Sequence, residues 1–147
     1  MKFNTIVVAV DFSENSELAV ASALDLAKQY GSTLHVVHAF ELVTPLVSPY
    51  QVAIPDLYLE DSRDVARKRL EEVVAKLTSE GIAVEKHLTE APAAPALARI
   101  AEEVGADLIV MGTRGVTGLK HLVLGSVAER TLRLAPCSVL TVKLPGG

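Results

Sequence analysis

Strand-like and helix-like segments alternate from one end of the chain to the other. Residues 5–10 form a continuous apolar, β-branched run, which is typical of a strand that is covered on both faces. Helical spacing follows, with Ser13 as a candidate N-cap and Gly31 as the stop. The same pattern then repeats along the chain. Further strands are predicted over 33–39, 82–88, 107–111 and 138–143, and further helices end before Gly81, before Gly105 and at Leu134.

This alternation predicts the topology of the sheet. Strands that alternate with helices indicate a parallel sheet with helices on both faces. Because the crossovers between parallel strands are right-handed, few arrangements remain. We expect a doubly wound α/β fold with five parallel strands in the order 3-2-1-4-5. The composition of residues 1–147 shows no break that would mark a boundary, so a single domain is expected.

The composition argues against several classes of protein. A net charge of −4 lacks the basic surplus of a nucleic-acid-binding face. No apolar run approaches the about 20 residues that a membrane-spanning helix needs, and the first apolar run is interpreted as a strand rather than a signal peptide. Cys137 is the single cysteine and cannot form an intrachain disulfide. That count suits a reducing compartment, so a cytoplasmic protein is expected.

One stretch departs from the regular pattern. Residues 41–58 contain Pro45, Pro49 and Pro55, and the part between Leu42 and Pro55 carries no charge. A long apolar loop in a compact domain is often functional or covered by a partner. The alternative is a loop that packs against its own helices, and the sequence favours neither.

The predicted fold also indicates where a ligand would bind. In a doubly wound sheet, ligands bind beyond the carboxyl ends of the strands, where the strand order reverses. That point lies between the first and fourth strands. Asp11 follows the first strand and Gly112 ends the fourth, so we expect these two residues to be neighbours in space.

A glycine-rich segment over 112–126 follows the fourth strand. Glycine allows positive φ and a close approach of backbone to ligand, and successive N–H groups in such loops can bind anions. Gly125 and Ser126 then open a helix, whose N-terminus favours phosphate. Arg114 and Lys120 add positive charge nearby. The alternative is a flexible loop with ordinary helix capping, because glycine-rich loops alone are weak evidence.

The spacing of these glycines resembles the nucleotide-binding signature of the universal stress protein family. In this chain it reads Gly112-x-x-Gly115, nine further residues, then Gly125-Ser126. Further segments that resemble the family are 8–13, 106–115, 125–130 and 135–140. The resemblance implies a flavodoxin-like α/β fold, usually a homodimer, and ATP binding in the branch that keeps the glycines. One departure is Glu90-Ala91-Pro92, where the family often has Gly-x-Pro; the glutamate could bring negative charge toward the pocket.

The resemblance also assigns positions to the nucleotide. It implies that adenine lies near the end of the second strand, where the backbone of Ala39 could read its edge and Val10 and Met111 could pack on its faces. Asp11 has two interpretations, a contact to ribose or a metal-bound water, and a cap on the helix that begins near Ser13. The complete set of expected binding residues is Val10, Asp11, Ala39, Met111, Gly112, Arg114, Gly115, Gly125, Ser126 and Val127.

Other reactive side chains give no clear site. His35 and His38 are odd-spaced on one strand and should face opposite sides, so they cannot easily share a metal. His87 and His121 have no cysteine or carboxylate at ligand spacing, and Cys137 is interpreted as a small buried residue. No metal ligand held by side chains and no catalytic residue is therefore expected.

The favoured function is that of an ATP-binding stress-response module, with Mg²⁺ accompanying the nucleotide. The alternatives are a slow ATPase or a phosphoryl or nucleotidyl transferase that uses the same site, and a scaffold that has lost its ligand. A homodimer through 138–143 is expected, because this edge strand is rich in β-branched residues and has neither proline nor charge before Lys143.

Overall fold

Five parallel strands form the central sheet of the computed structural model, which describes residues 1–41, 56–114 and 124–145. Their order is β3-β2-β1-β4-β5, so the predicted order is confirmed. Among these residues, no helix combines the length and apolar character needed to cross a membrane. The elements in chain order are β1 (Thr5–Ala9), α1 (Glu14–Tyr30), β2 (Thr33–Phe40), α2 (Asp56–Ser79), β3 (Val84–Glu90), α3 (Ala93–Glu103), β4 (Leu108–Gly112), α4 (Ser126–Leu134) and β5 (Ser138–Val142).

Each face of the sheet has its own hydrophobic core. The central strand β1 contributes to both, because Ile6 and Val8 pack on the side of α1 and α2 while Val7 packs on the side of α3 and α4. All three side chains are fully buried. A strand buried on both faces needs an uninterrupted apolar run, which is the pattern that the sequence shows at this position.

The ends of α1 follow the predicted capping chemistry. Ser13 is the N-cap, and its hydroxyl accepts a hydrogen bond from the N–H of Ser16 at 3.2 Å. Gly31 ends the helix in the left-handed region at φ 67° and donates its N–H to the carbonyl of Ala27. These caps fix where α1 starts, and its first turn lies beside the carboxyl ends of β1 and β4.

The edge strand β3 differs from its prediction. It runs from Val84 to Glu90, two residues later than the predicted 82–88. Ile82 is apolar because it packs against the core from the preceding turn, so the hydrophobic pattern places the strand too early. Exposed residues such as Glu85 and Lys86 lie within the strand, as expected for a strand at the edge of a sheet.

Candidate functional site

A cavity of about 210 Å³ lies at the carboxyl ends of the central strands, beyond the neighbouring strands β1 and β4. This is the switch point of the sheet, the place at which ligands bind in doubly wound folds. The predicted binding residues that line it are Val10, Asp11, Ala39, Met111, Gly112, Arg114, Gly125, Ser126 and Val127. Gly115 and Lys120 lie outside the described residues.

Several lining residues were not predicted. Ala93 and Leu97 reach the cavity from the start of α3, and Thr113 and Ser16 reach it from either side of the switch point. Leu97 is a core residue of α3 as well as a lining residue. Its second role could have been found from position, because α3 begins beyond the carboxyl end of β3 and so starts at the same edge as the cavity.

Gly112 is required by packing rather than by backbone conformation. A Cβ at this position would lie 2.6 Å from the Cβ of Asn15 in the first turn of α1. Its φ is not positive, since the positive-φ glycines of the described chain are Gly31, Gly81 and Gly105. The absence of a side chain at Gly112 therefore allows a close approach between helix and strand.

Gly125 likewise has an ordinary extended backbone, with φ −75° and ψ 166°. Its N–H donates to the carbonyl of Thr113 at 2.6 Å, and a Cβ would lie 3.1 Å from that same oxygen. The N–H of Thr113 in turn donates to the carbonyl of Val142 at 2.9 Å. These bonds join the end of β4, the end of β5 and the start of α4 into one frame around the cavity.

The first turn of α4 supplies hydrogen-bond donors to the cavity wall. Ser126, Val127 and Ala128 all line the cavity, and Gly125 as N-cap offers no side-chain hydrogen bond. The first N–H groups of a helix have no partner within the helix and carry its positive dipole end. This wall is therefore suited to an anionic group.

Asp11 supports the N-cap of α1. Its Oδ1 accepts hydrogen bonds from the N–H of Ser13, at 3.0 Å, and from the Ser13 hydroxyl. Its own N–H donates to the hydroxyl of Ser16 at 3.0 Å. The predicted cap by Asp11 itself is therefore wrong, because Ser13 is the N-cap and Asp11 holds Ser13 in place. Asp11 also lines the cavity, where it and Arg114 are the charged residues among the described lining.

The backbone beside Asp11 takes an uncommon conformation. Phe12 has φ 66°, in the left-handed region, where it is the one non-glycine residue of the described chain. Its ring lies 4.6 Å from the ring of His38, and the guanidinium of Arg69 on α2 lies 4.2 Å above it. A nitrogen of His38, Nδ1, contacts the carbonyl oxygen of Val10 at 2.7 Å. The turn after β1 is thus held from β2 and from α2.

Val10 and Met111 belong to different cores. Val10 packs with the residues on the side of α1 and α2, and Met111 packs on the side of α3 and α4. Both are 4% exposed and both contribute to the cavity wall. That these two side chains flank the faces of one adenine ring stays a prediction.

The comparisons with known proteins agree with the sequence signature. The model of the universal stress protein family matches residues 2–143. This chain belongs to the universal stress protein family. It is 33% identical over 143 residues to the universal stress protein MJ0531 of Methanocaldococcus jannaschii, covering 97% of this chain and 84% of that protein.

Solved structures of universal stress proteins and related chains share the fold. The structure of the hypothetical protein MJ0577 matches with a TM-score of 0.82 at 23% identity, covering 100% of both chains. The universal stress protein of Archaeoglobus fulgidus in complex with dAMP matches with a TM-score of 0.66 at 27% identity, covering 97% of this chain and 100% of that one.

Glu90, the departure from the universal stress protein pattern, does not line the cavity. Its carboxylate pairs with the guanidinium of Arg63 on α2 at 2.7 Å, and both side chains are about half exposed. The charge is therefore directed toward α2. Pro92 is the N-cap residue of α3.

The remaining reactive side chains are arranged differently from the sequence prediction in one respect. His35 contacts His87 and His38 contacts Val10, which agrees with the prediction that the two histidines face opposite sides. The prediction that His87 lacks a carboxylate neighbour is wrong, because Glu85 lies two residues before it on β3 and near His35. Cys137 is half-buried, and burial, with a smaller effect from Asp107, raises the pKa of its thiol. A thiol with a raised pKa is a poor nucleophile at neutral pH.

Proposed function

We propose that this universal stress protein binds ATP or a close adenine nucleotide, with Mg²⁺, in the switch-point cavity, and acts as a nucleotide-dependent signalling or regulatory module. The observation that carries the proposal is the meeting of the uncapped first turn of α4 with Arg114 at one wall of the cavity. Donors of this kind favour phosphate. The dAMP complex of the Archaeoglobus fulgidus relative supports an adenine nucleotide as the ligand class.

In the proposed complex the phosphates lie against Gly112, Arg114, Gly125 and Ser126. Gly125 suits this wall because its backbone is exposed to the ligand without a side chain in between, and because its hydrogen bond to Thr113 holds the wall in place. The base lies toward Ala39, at the end of β2. The apolar side chains that line this part of the cavity, including Leu97 and Met111, suit a flat heterocycle.

The binding role has more support than the enzymatic alternative of a slow ATPase or a phosphoryl or nucleotidyl transferase. Asp11 is the carboxylate in the described lining, and its Oδ1 is occupied by Ser13. A general base needs an acceptor within hydrogen-bond reach of the attacking group. Phosphoryl transfer depends mostly on positioning and charge, so weak ATP hydrolysis is the enzymatic activity that this site could support.

We further propose a homodimer through the edge strand, residues 138–143. The strand β5 is the last of the sheet, and Leu140 on it is 39% exposed. Leu132 and Leu134 at the end of α4 are also large, exposed and apolar. An unpaired edge next to exposed leucines suits an isologous contact with a second copy.

Calorimetric titration of the purified protein with Mg-ATP tests the proposed ligand. We expect saturable binding by the wild type and a loss of affinity in Gly125→Val, because a branched side chain would crowd the wall and press on the Thr113 carbonyl, 3.1 Å from the Cβ position. Val65→Ala on α2, a residue that is 58% exposed and outside the cavity, is the matched control.

Wild-type affinity in a folded Gly125→Val protein would contradict the phosphate assignment. Steady turnover of ATP in the range of about 1–100 s⁻¹ typical of kinases would instead favour the enzymatic alternative.

A further inference from the structure

Three potential metal ligands converge between β2 and the edge strand β3, away from the nucleotide cavity. The Nδ1 of His35 lies 2.9 Å from the Nε2 of His87 and 3.5 Å from a carboxylate oxygen of Glu85. One ligand atom from each of the three residues lies within 4.8 Å of the others. None of the three lines the cavity. We propose that His35, Glu85 and His87 form a binding site for a divalent transition metal, of which Zn²⁺ is the best match.

The register of the sheet brings these side chains together. His35 pairs with Glu85 and Val37 pairs with His87 along the ladder between β2 and β3. Residues two apart on a strand share a face, and paired residues on parallel neighbours do so as well. The three ligands therefore project from one face, the one on which Val37 packs with α3 and α4. The backbone hydrogen bonds between β2 and β3 fix the spacing of these three residues in the metal-free protein.

The donor set fits Zn²⁺. Two imidazole nitrogens and one carboxylate oxygen leave the fourth tetrahedral position for water or another ligand. Zn–N bonds of about 2.0–2.1 Å place two tetrahedral nitrogens about 3.3–3.4 Å apart. The present separation of 2.9 Å between His35 and His87 is that of a hydrogen bond, which requires a proton between the rings. A small opening of this contact, together with a shift of that proton to the other nitrogen of the donor ring through solvent, would leave both facing nitrogens with lone pairs for the metal.

The burial of His35 also suits a ligand. Its side chain is 8% exposed, so the protein shields this nitrogen donor from solvent. Glu85 is 66% exposed on its side chain, so it supplies both the negative charge and the route of access from solvent.

The test is a titration of the full chain, freed of any histidine tag and of nucleotide, with ZnCl₂ by calorimetry. The wild type should bind one equivalent. His87→Gln and His35→Gln should each weaken binding by more than the about 10–100-fold that the loss of an outer-shell partner typically costs. Glu85→Gln should weaken it too, because the charge is lost at unchanged shape.

His38→Gln is the matched control, since His38 lies on the same strand but bonds to the carbonyl of Val10. It should bind zinc as the wild type does. Because His35 is buried, a thermal melt without metal is needed to show that His35→Gln folds. His87 is only half-buried, so His87→Gln tests the site independently of that control. Co²⁺ substitution gives an independent readout, a tetrahedral absorption spectrum that is lost in His87→Gln.

Two results would overturn the proposal. One is the absence of zinc binding by the wild type, which would leave the contact as a hydrogen bond between two histidines. The other is binding that survives in both His35→Gln and His87→Gln. Neither result depends on whether the cavity binds a nucleotide, so the two proposals can fail separately.

Discussion

Gly112 offers a sharp test of the packing at the switch point. In Gly112→Ala the new Cβ would lie 2.6 Å from the Cβ of Asn15, whereas ordinary van der Waals contact begins at 3.4 Å. Two further backbone atoms, of Asn15 and Arg114, lie 3.1 and 3.2 Å away, so the methyl group cannot turn aside. Either α1 or the end of β4 must move.

The expected cost is that of overpacking, about 1–3 kcal/mol of unfolding free energy. It exceeds the about 0.4–1 kcal/mol that a Gly→Ala change gains by restricting the unfolded chain. In chemical denaturation, the loss of unfolding free energy in Gly112→Ala should lower the midpoint of the transition and leave its denaturant dependence unchanged. In a thermal melt, each kcal/mol corresponds to a decrease in Tm of about 2–4 °C for a chain of this size.

Gly125→Ala is the matched control, because its nearest neighbour would be 3.1 Å away rather than 2.6 Å. It should cost less than Gly112→Ala. The variant Asn15→Gly removes the closest contact, so the double variant should show a favourable coupling beyond the about 0.5 kcal/mol scatter of independent sites. The reasoning is refuted if Gly112→Ala is as stable as the wild type, or if the two changes are additive.

Two further predictions concern the cap and the edge strand. Asp11→Ala should lower the unfolding free energy by about 1.5–3 kcal/mol, because it removes an acceptor that holds Ser13, while Asp11→Asn keeps an oxygen in place and should lose less. Calorimetry with Mg-ATP then separates the roles: a folded Asp11→Ala protein of normal affinity would leave support of the Ser13 cap as its whole contribution. For the dimer, Leu140→Lys places like charges at the proposed two-fold contact on a residue that is 39% exposed, so sedimentation should shift from dimer to monomer with little change in the melt. A wild type that sediments as a 15.6 kDa monomer at micromolar concentration would rule this interface out.

The strand order and the helix caps could be predicted because they depend on local patterns. Residues 5–10 are apolar without interruption, and Ser13 and Gly31 are the residue types that begin and end helices. The location of the cavity follows from the strand order alone, which is why the residues at the ends of β1 and β4 were found.

Contacts between neighbouring strands could not be predicted in the same way. The meeting of His35 with Glu85 and His87 depends on the register of β2 against β3, and the sequence pattern placed β3 two residues early. The same limit applies to Gly112. A glycine that is required by the approach of Asn15, 97 positions earlier in the chain, looks in the sequence like a glycine required by its own φ.

The backbone conformation of Phe12 makes the residue types at positions 12, 38 and 69 depend on one another. A left-handed backbone at a bulky residue costs about 1–3 kcal/mol, and glycine would avoid that cost. The ring offsets that cost through its contacts with His38, Arg69 and the hydrophobic core on the side of α1 and α2. In a relative without an aromatic ring or a cation at those two positions, glycine or asparagine becomes the better residue at the equivalent of 12. The three positions should therefore covary, although residues 12 and 69 are far apart in sequence.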